Sequence, residues 1–177
     1  MRRTHASPVK DGINDMAYET VIRRAAAGDI PELHRLLRQV ADVHQAGRPD
    51  LFKPNATKYT DDELRGVIAD DETPVFVMDA GEPSGRILGY AFCQFQRHPH
   101  DNILTDITTL YLDDLCVDES ERGTHIGSAL YRHVLAFARE HGCHNLTLNV
   151  WACNPGAQAF YERMGLTPYK TCLEQLL

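Results

Sequence analysis

The spacing of apolar residues in the first third of the chain predicts one strand followed by one helix. Residues 19–25 have the pattern of a short strand. In residues 28–45 the apolar side chains recur every three to four positions, so we predict an amphipathic helix there. Asp29 stands at its N-cap, Pro31 in its first turn, and Glu32 in the place of the acidic member of a capping box.

Strand signals dominate the middle of the chain. A second, shorter helix is predicted over residues 61–71. Residues 73–80 and 86–98 then flank a turn at 81–85, and together they predict an antiparallel hairpin. Residues 108–117 predict a further strand.

The last third of the chain alternates between helix and strand patterns. A long amphipathic helix begins near Ile126, and Gly142 ends it. Residues 145–152 alternate in polarity and predict a strand, and residues 154–165 predict a short helix. Residues 166–177 predict one or two closing strands. The order β-α-α-β-β-β-α-β-α-β indicates a mixed α/β domain.

The composition is that of one soluble domain without a membrane segment. The chain has 177 residues, of which 43% are hydrophobic and 24% are charged, as is ordinary for a single globular domain. No apolar run approaches the roughly 18–20 residues that span a bilayer. Residues 1–16 are basic and lack the apolar centre of a signal peptide, so we predict a flexible leader there and a folded domain over 17–177.

Cysteine usage and charge narrow the classes of partner. The five cysteines show no CxxC spacing and the histidines no ligand spacing, so we predict no disulfide framework, no metal and a cytoplasmic location. The net charge of −7 argues against a nucleic-acid partner, which needs a basic face. It suits a cationic substrate, although many ordinary soluble proteins are equally acidic.

The strand over 108–117 leads into a charged, glycine-containing turn and then into a helix. The first N–H groups of a helix have no intrahelical partners, and with the helix dipole they favour an anion. Arg122 adds a permanently charged, forked donor, and Gly123 and Gly127 allow a ligand close to the backbone. A helix start without any ligand explains these residues equally well. The chain contains neither GxxxxGK[ST] nor GxGxxG, which disfavours a nucleoside triphosphate or a dinucleotide.

Two motifs in the second half of the chain resemble the GNAT superfamily of N-acetyltransferases. The segment RGTHIGSAL resembles the coenzyme A loop of that family, Q/R-x-x-G-x-G/A, with Arg122 at its first position and Gly127 at its last. His125 stands where the pattern has its internal glycine. The segment NPGAQAFYERMGL resembles a second signature, an Asn that opens a helix carrying a Tyr two turns later. The resemblance covers residues 109–177, and YLDDLCV is also similar to the spermidine/spermine acetyltransferase branch.

This resemblance implies a fold and an activity. The implied fold is the α/β GNAT fold, with a mixed, mostly antiparallel sheet of six to seven strands and about four helices. The implied activity is transfer of an acetyl group from acetyl-CoA directly to a primary amine of a small molecule, polyamine-like or otherwise cationic. A protein N-terminal or lysine acetyltransferase and a non-catalytic acyl-CoA-binding regulatory module remain as alternatives. A homodimer is the expectation at the level of the family.

The resemblance also assigns expected roles to individual residues. Tyr161 is expected to protonate the leaving thiolate, and it shares a helix face with Asn154, about 10 Å away along the axis. Asn154 and the backbone of Leu115, Cys116 and Val117 are expected to hold the pantetheine arm. The expected pyrophosphate loop, which binds mainly through its backbone, consists of Arg122, Gly123, Thr124, His125, Ile126, Gly127 and Ser128.

Two neighbouring carboxylates, Asp113 and Asp114, lie in the strand before this loop. Because side chains alternate along a strand, we expect them on opposite faces, with one of them directed to the core or the active-site cleft. Asp113 aligns with the glutamate proposed as base in the polyamine branch, which acts through water. A pair of solvated or salt-bridged carboxylates without a catalytic part is the alternative.

Overall fold

A five-stranded sheet flanked by four α-helices forms the centre of the structure. The structure is a computed structural model and describes residues 20–81 and 84–177. The strands are β1 (Val21–Arg24), β2 (Val75–Asp79), β3 (Ile87–Arg97), β4 (Thr108–Val117) and β5 (Asn145–Thr147). The helices are α1 (Ile30–Gly47), α2 (Asp61–Ala69), α3 (Ile126–Glu140) and α4 (Pro155–Arg163). The predicted leader, 1–16, lies outside the described residues.

The sheet is mostly antiparallel, as predicted, but it has fewer strands than expected. Strands β1 to β4 pair with one another in antiparallel fashion, and β5 is parallel to β4. The strand predicted over 145–152 pairs only at Asn145–Thr147, and residues 166–177 form no strand within the described part. Pro168 has no N–H to give to a strand ladder, and Leu173 is 90% exposed. The sheet therefore has five strands and not the expected six to seven.

A β-bulge interrupts β4 at Asp113. Phe92 of β3 lies opposite Asp114 and Cys93 lies opposite Leu112, which leaves Asp113 without a partner on β3. One extra residue reverses the alternation of side chains beyond it. Asp113 and Asp114 consequently share one face of the sheet, and the prediction that they face opposite sides was wrong.

Helices cover both faces of the sheet. On one face, α1 and α2 bury Leu33, Leu36 and Leu64 against Tyr90 and Phe92 of β3. The cluster under α3 on the other face contains Phe76, Ala91, Leu110, Leu112, Tyr131, Val134 and Ala138. Burial of large apolar side chains contributes about 1.5–3 kcal/mol each to the free energy of unfolding. Among the described residues, no helix is both long and apolar enough to cross a membrane.

The capping prediction for α1 was half right. Asp29 is the N-cap residue, but its side chain does not cap the helix. Its carboxylate accepts hydrogen bonds from the Arg23 guanidinium, at 2.7 and 2.8 Å, and from the Ala26 N–H, at 2.8 Å. The Arg23 hydrogen bonds hold the pKa of Asp29 below its usual range. Glu32 pairs with the Arg35 guanidinium and not with a backbone N–H at the helix start, because a charged donor forms the stronger hydrogen bond.

Candidate active site

The parallel strands β4 and β5 separate soon after they begin to pair. Their pairing covers only Thr109 to Tyr111 of β4, and no strand lies along the rest of that edge within the described residues. The Asp118 N–H donates to the Leu88 carbonyl of β3 at 2.9 Å. Because backbone groups alternate in direction along a strand, those of Val117 and Leu115 point away from β3, toward the open edge. β4 therefore presents free backbone groups at this split.

Cys116 is the exception among the three predicted backbone contacts. It alternates with Leu115 and Val117, so its backbone groups point toward β3. Its side chain is buried, with Sγ 3.7 Å from the Leu36 carbonyl of α1. Burial raises the pKa of the Cys116 thiol to about 12, so the sulfur is an inert thiol at neutral pH.

The loop after β4 is a cradle of free backbone N–H groups. Gly123 and His125 both have left-handed backbone angles, with φ of 85° and 68°. The first helical hydrogen bond of α3 runs from the Ala129 N–H to the His125 carbonyl. The N–H groups of Ile126, Gly127 and Ser128 have no acceptor among the described residues, and those of Gly123 and His125 have none either. Such a set of donors fits an anion.

Two side chains of the loop behave differently from each other. Thr124 directs both its N–H and its hydroxyl to the Glu121 carbonyl, at 3.4 and 2.5 Å, and so it closes the turn and has no donor left for a ligand. Arg122 is exposed and forms no ion pair with any described residue. Its guanidinium adds a free positive charge to the cradle.

Gly127 joins the loop to the end of β4 and to α4. A Cβ added at Gly127 would lie 3.3 Å from Val117 Cγ2 and 3.6 Å from the Phe160 ring. The small residue thus lets the start of α3 approach both neighbours closely. Phe160 directly precedes Tyr161, so the loop, the open edge of β4 and the tyrosine helix meet at one place.

The predicted start of α4 is confirmed. Asn154 is the N-cap and its Oδ1 accepts a hydrogen bond from the Ala157 N–H at 3.1 Å. The Asn154 amide NH₂ has no acceptor among the described residues, so it remains available as a donor.

Tyr161 lies two turns along the same helix and is half-buried. Its ring packs against Phe160 and Tyr131, with centroids 5.1 and 6.3 Å away. The phenol has no hydrogen-bond partner among the described residues. Burial, and then the charge of Asp114, raise the pKa of Tyr161, so the hydroxyl keeps its proton at neutral pH.

The bulge in β4 places both carboxylates beside one ammonium group. Lys58 Nζ lies 2.9 Å from Asp113 Oδ2 and 3.5 Å from Asp114 Oδ2. The Tyr90 hydroxyl donates to Asp114 Oδ2 at 3.1 Å. Burial raises the pKa of Asp114, and the Lys58 charge and the Tyr90 hydrogen bond oppose that rise. A buried carboxyl with a raised pKa is a good candidate for proton transfer.

An aromatic cluster and a polar hollow each include one residue, His44 and Tyr111 respectively, that lies near enough to the carboxylates for their charge to affect its pKa. The rings of His44 and Trp151 lie 5.1 and 5.2 Å from that of Phe52, and Trp151 is 41% exposed. Burial lowers the pKa of His44, so its ring is neutral at pH 7. A hollow of about 260 Å³ opens where β4 and β5 part; it is lined by Gln96, Tyr111, Thr147, Leu148, Asn149, Tyr169 and Lys170. Flat rings and amide groups of this kind suit a small organic ligand.

Comparison with known proteins decides the family. Residues 37–166 match the acetyltransferase (GNAT) family. The chain belongs to the GNAT family. It is therefore an N-acetyltransferase by family, an acyltransferase, as the resemblance of its motifs implied.

Two relatives of this GNAT protein are named as N-acetyltransferases, one of thialysine and one of 5-NmdU. Thialysine N-epsilon-acetyltransferase from Bos taurus is 29% identical over 160 residues, which cover 85% of this chain and 85% of the relative. The 5-NmdU N-acetyltransferase of Pseudomonas phage PaMx11 is 29% identical over 149 residues, with 83% and 86% covered.

Solved structures show the same fold. A mutant of a Bacillus halodurans protein superposes with a TM-score of 0.83 at 27% identity, covering 89% of this chain and 99% of the other. An aminoglycoside acetyltransferase from an uncultured soil metagenomic sample has a TM-score of 0.68 at 18% identity, with 89% and 95% covered. The second likeness concerns the fold alone.

Within residues 20–81 and 84–177, no three His, Cys, Asp or Glu side chains are grouped to hold a metal.

Three residues at this site were missed by the sequence analysis. Lys58 and Tyr90 lie 55 and 24 positions from their carboxylate partners, and no local pattern marks either of them. Asp118 is 3% exposed and anchors the turn after β4. Its place at the end of an apolar strand was a signal for a buried carboxylate, which must be paired.

Proposed function

We propose that this GNAT protein transfers an acetyl group from acetyl-CoA directly to a primary amine of a small cationic molecule. One observation supports it most. Three groups meet at the split between β4 and β5: a cradle of free N–H groups, a protonated tyrosine, and a pair of carboxylates. The cradle can bind an anion, the tyrosine can protonate a leaving group, and the carboxylates can take a proton from an amine.

The cradle after β4 fits the pyrophosphate of coenzyme A. Arg122 and the free N–H groups of the loop would hold the phosphates. Leu115 and Val117, at the open edge of β4, would hold the amides of the pantetheine arm, with the Asn154 NH₂ as a further donor. Acetyl-CoA supplies a thioester whose carbonyl carbon accepts the amine.

The residues around the split account for each proton of the transfer. The amine nitrogen forms a bond to the acetyl carbon, and the carbon–sulfur bond breaks. The Asp113–Asp114 pair takes the proton that the amine loses, directly or through water. Tyr161 gives its phenolic proton to the leaving thiolate. The products are an amide and free coenzyme A thiol.

Thiol release is the direct test of this proposal. The protein is mixed with acetyl-CoA and a panel of polyamines, aminoglycosides, amino acids and peptides, and free thiol is measured. We expect release with at least one small amine. Tight binding of acetyl-CoA without release for any amine would favour a binding module, and release with peptides alone would favour a protein acetyltransferase.

Two substitutions at His125 distinguish binding of acetyl-CoA through the loop backbone from binding through the imidazole. A β-branched residue at φ of 68° costs about 1–2 kcal/mol, so we expect His125→Val to raise the KM for acetyl-CoA about tenfold. His125→Gly removes the ring and suits the backbone angle, so we expect its KM to stay within about twofold. An equal loss in both variants would mean that the imidazole itself contacts the cofactor.

The pH profile distinguishes the two carboxylates. A base must be ionised, so activity falls as pH drops through its pKa. Because burial raises the pKa of Asp114, we expect the acid limb of kcat/KM to lie above the ordinary range of aspartate and to disappear in Asp114→Asn. Asp113→Asn, a change at the more exposed partner, is expected to keep that limb and raise the acceptor KM. Loss of the limb in Asp113→Asn would instead assign the base to Asp113.

A further inference from the structure

Lys58 brings a positive charge into the acceptor side of the active site. Its ammonium lies 2.9 Å from Asp113 and 3.5 Å from Asp114, close enough for an ion pair with each. The same ammonium stands 5.4 Å from the centre of the Tyr59 ring. Lys58 is therefore a primary amine bound where the acceptor amine has to meet its base.

The position of Lys58 is fixed by the residues that follow it. Tyr59 stacks on Phe92 of the sheet core, with centroids 5.9 Å apart. Thr60 caps α2 through a capping box with Glu63. The chain on the C-terminal side of Lys58 is thus anchored to β3 and α2, so the lysine can reach the carboxylates without ordering a long loop.

The charges at this place sum to about one negative charge. Asp113 and Asp114 carry two carboxylates and Lys58 one ammonium. His44, on the neighbouring helix α1, is neutral at pH 7 because burial lowers its pKa. One ammonium of an acceptor completes the neutralisation, and a second ammonium on the same acceptor has no carboxylate left among these residues. At about 8 Å, the reach of a five-carbon chain, two like charges repel by roughly 0.5–2 kcal/mol, depending on how well water screens them.

We propose that Lys58 determines the acceptor class: its ammonium takes up one of the two carboxylate charges, so the site accepts amines with one positive charge and discriminates against diamines and polyamines. This inference rests on the proposed function, because it concerns the acceptor of that reaction. The sequence analysis expected a polyamine-like or otherwise cationic acceptor. The charge of Lys58 restricts this class to acceptors with a single ammonium near the reacting nitrogen.

A matched pair of ligands tests the role of Lys58. 5-Aminopentanol and 1,5-diaminopentane have the same length and differ in one terminal group, a hydroxyl against an ammonium. Both are measured as competitors of the best acceptor found in the amine panel, so that neither has to be turned over. We expect the wild-type protein to bind 5-aminopentanol more tightly. In Lys58→Met we expect the ratio of inhibition constants to shift about tenfold toward the diamine, and in Lys58→Arg, which keeps the charge, to stay near the wild-type value.

The outcomes separate this inference from the proposed function. An active wild-type protein whose ratio is the same in Lys58→Met would overturn the role of Lys58 and leave the acetyltransferase proposal standing. A shift toward the aminoalcohol in Lys58→Met would also overturn it, because Lys58 would then be a contact for polar acceptors. Absence of thiol release by the wild-type protein would overturn the proposed function, and this inference with it. Lys58 is 38% exposed, so both variants are expected to fold, and thermal unfolding checks this.

Discussion

Replacement of Tyr161 by phenylalanine is expected to lower kcat by about a hundredfold or more. The change removes only the hydroxyl, and the hydroxyl has no hydrogen-bond partner among the described residues. The ring keeps its contacts with Phe160 and Tyr131, so we expect the free energy of unfolding and the KM for acetyl-CoA to change little. A fall in kcat with unchanged KM is the signature of an interaction made only in the transition state.

Tyr131→Phe is the matched control for this prediction. Tyr131 lies in the same cluster, 6.3 Å from Tyr161, and is 4% exposed. Loss of its hydroxyl is expected to leave kcat within about threefold of wild type, since a hydroxyl outside the chemistry affects the rate only through packing. Steady-state thiol release measures both variants. Near-normal kcat in Tyr161→Phe would exclude the phenol as general acid and leave water to protonate the thiolate.

Local sequence patterns predicted most of the elements well. The predicted strand over 108–117 and the observed β4 have the same bounds, and the helix expected from Ile126 begins there. These segments combine a clear apolar period with a stop signal, and neither depends on a distant partner. The strand predicted over 145–152 is present but ends at Thr147. Its length depends on how far β5 stays paired with β4, and the alternation of polarity within the segment does not encode that. The closing strands predicted over 166–177 are absent from the described part of the chain, where Pro168 cannot donate to a strand ladder and Leu173 is exposed.

The candidate site was predictable where it depends on the backbone of one continuous segment. The loop from Arg122 to Gly127 and the Asn154 cap are encoded in short motifs, and both have the predicted positions. The left-handed angle of His125 explains why the related pattern has glycine there. The bulge at Asp113 was not predictable, because it is a property of the register between β3 and β4. With the register unknown, the shared face of the carboxylates and their contact with Lys58 were hidden too.

A buried charge network fixes the start of the loop that we propose to bind the cofactor. Asp118 accepts from the Arg35 guanidinium of α1 at 2.5 Å, and from the Arg86 guanidinium and the Ser120 N–H at 3.0 and 3.1 Å. Burial alone would raise the pKa of Asp118, but the hydrogen bonds, that from Arg86 first, hold it well below the usual range. Asp118 therefore stabilises the folded state as an anion, and it links α1 and β3 to the turn that precedes the cradle of free N–H groups.

Asp118→Asn is expected to lower the free energy of unfolding at pH 7 by about 2 kcal/mol, because a buried anion is lost beside two guanidinium groups. Arg35 and Arg86 keep partial pairing with Glu32 and Glu121, which limits the loss. The folded-state pKa is depressed, so the stabilisation by Asp118 is fully present above about pH 4 and fades as pH falls. We therefore expect the difference in unfolding free energy between wild type and variant, measured by urea denaturation, to shrink toward acid pH.

The same substitution tests whether the ion pairs of Asp118 position the loop after β4. We expect Asp118→Asn to raise the KM for acetyl-CoA several-fold and to leave the KM for the amine nearly unchanged. The amide NH₂ that replaces Oδ2 cannot accept from Arg35 and Arg86, so the turn that carries Asp118 is no longer tied to them. Asp106→Asn is the control: Asp106 is exposed and has no ion pair with any described residue, so both quantities are expected to match wild type. An equal rise in both KM values would indicate general loosening of the fold. A loss of stability with neither KM changed would make Asp118 a purely structural residue, and the phosphate cradle would then hold its shape through α3 alone.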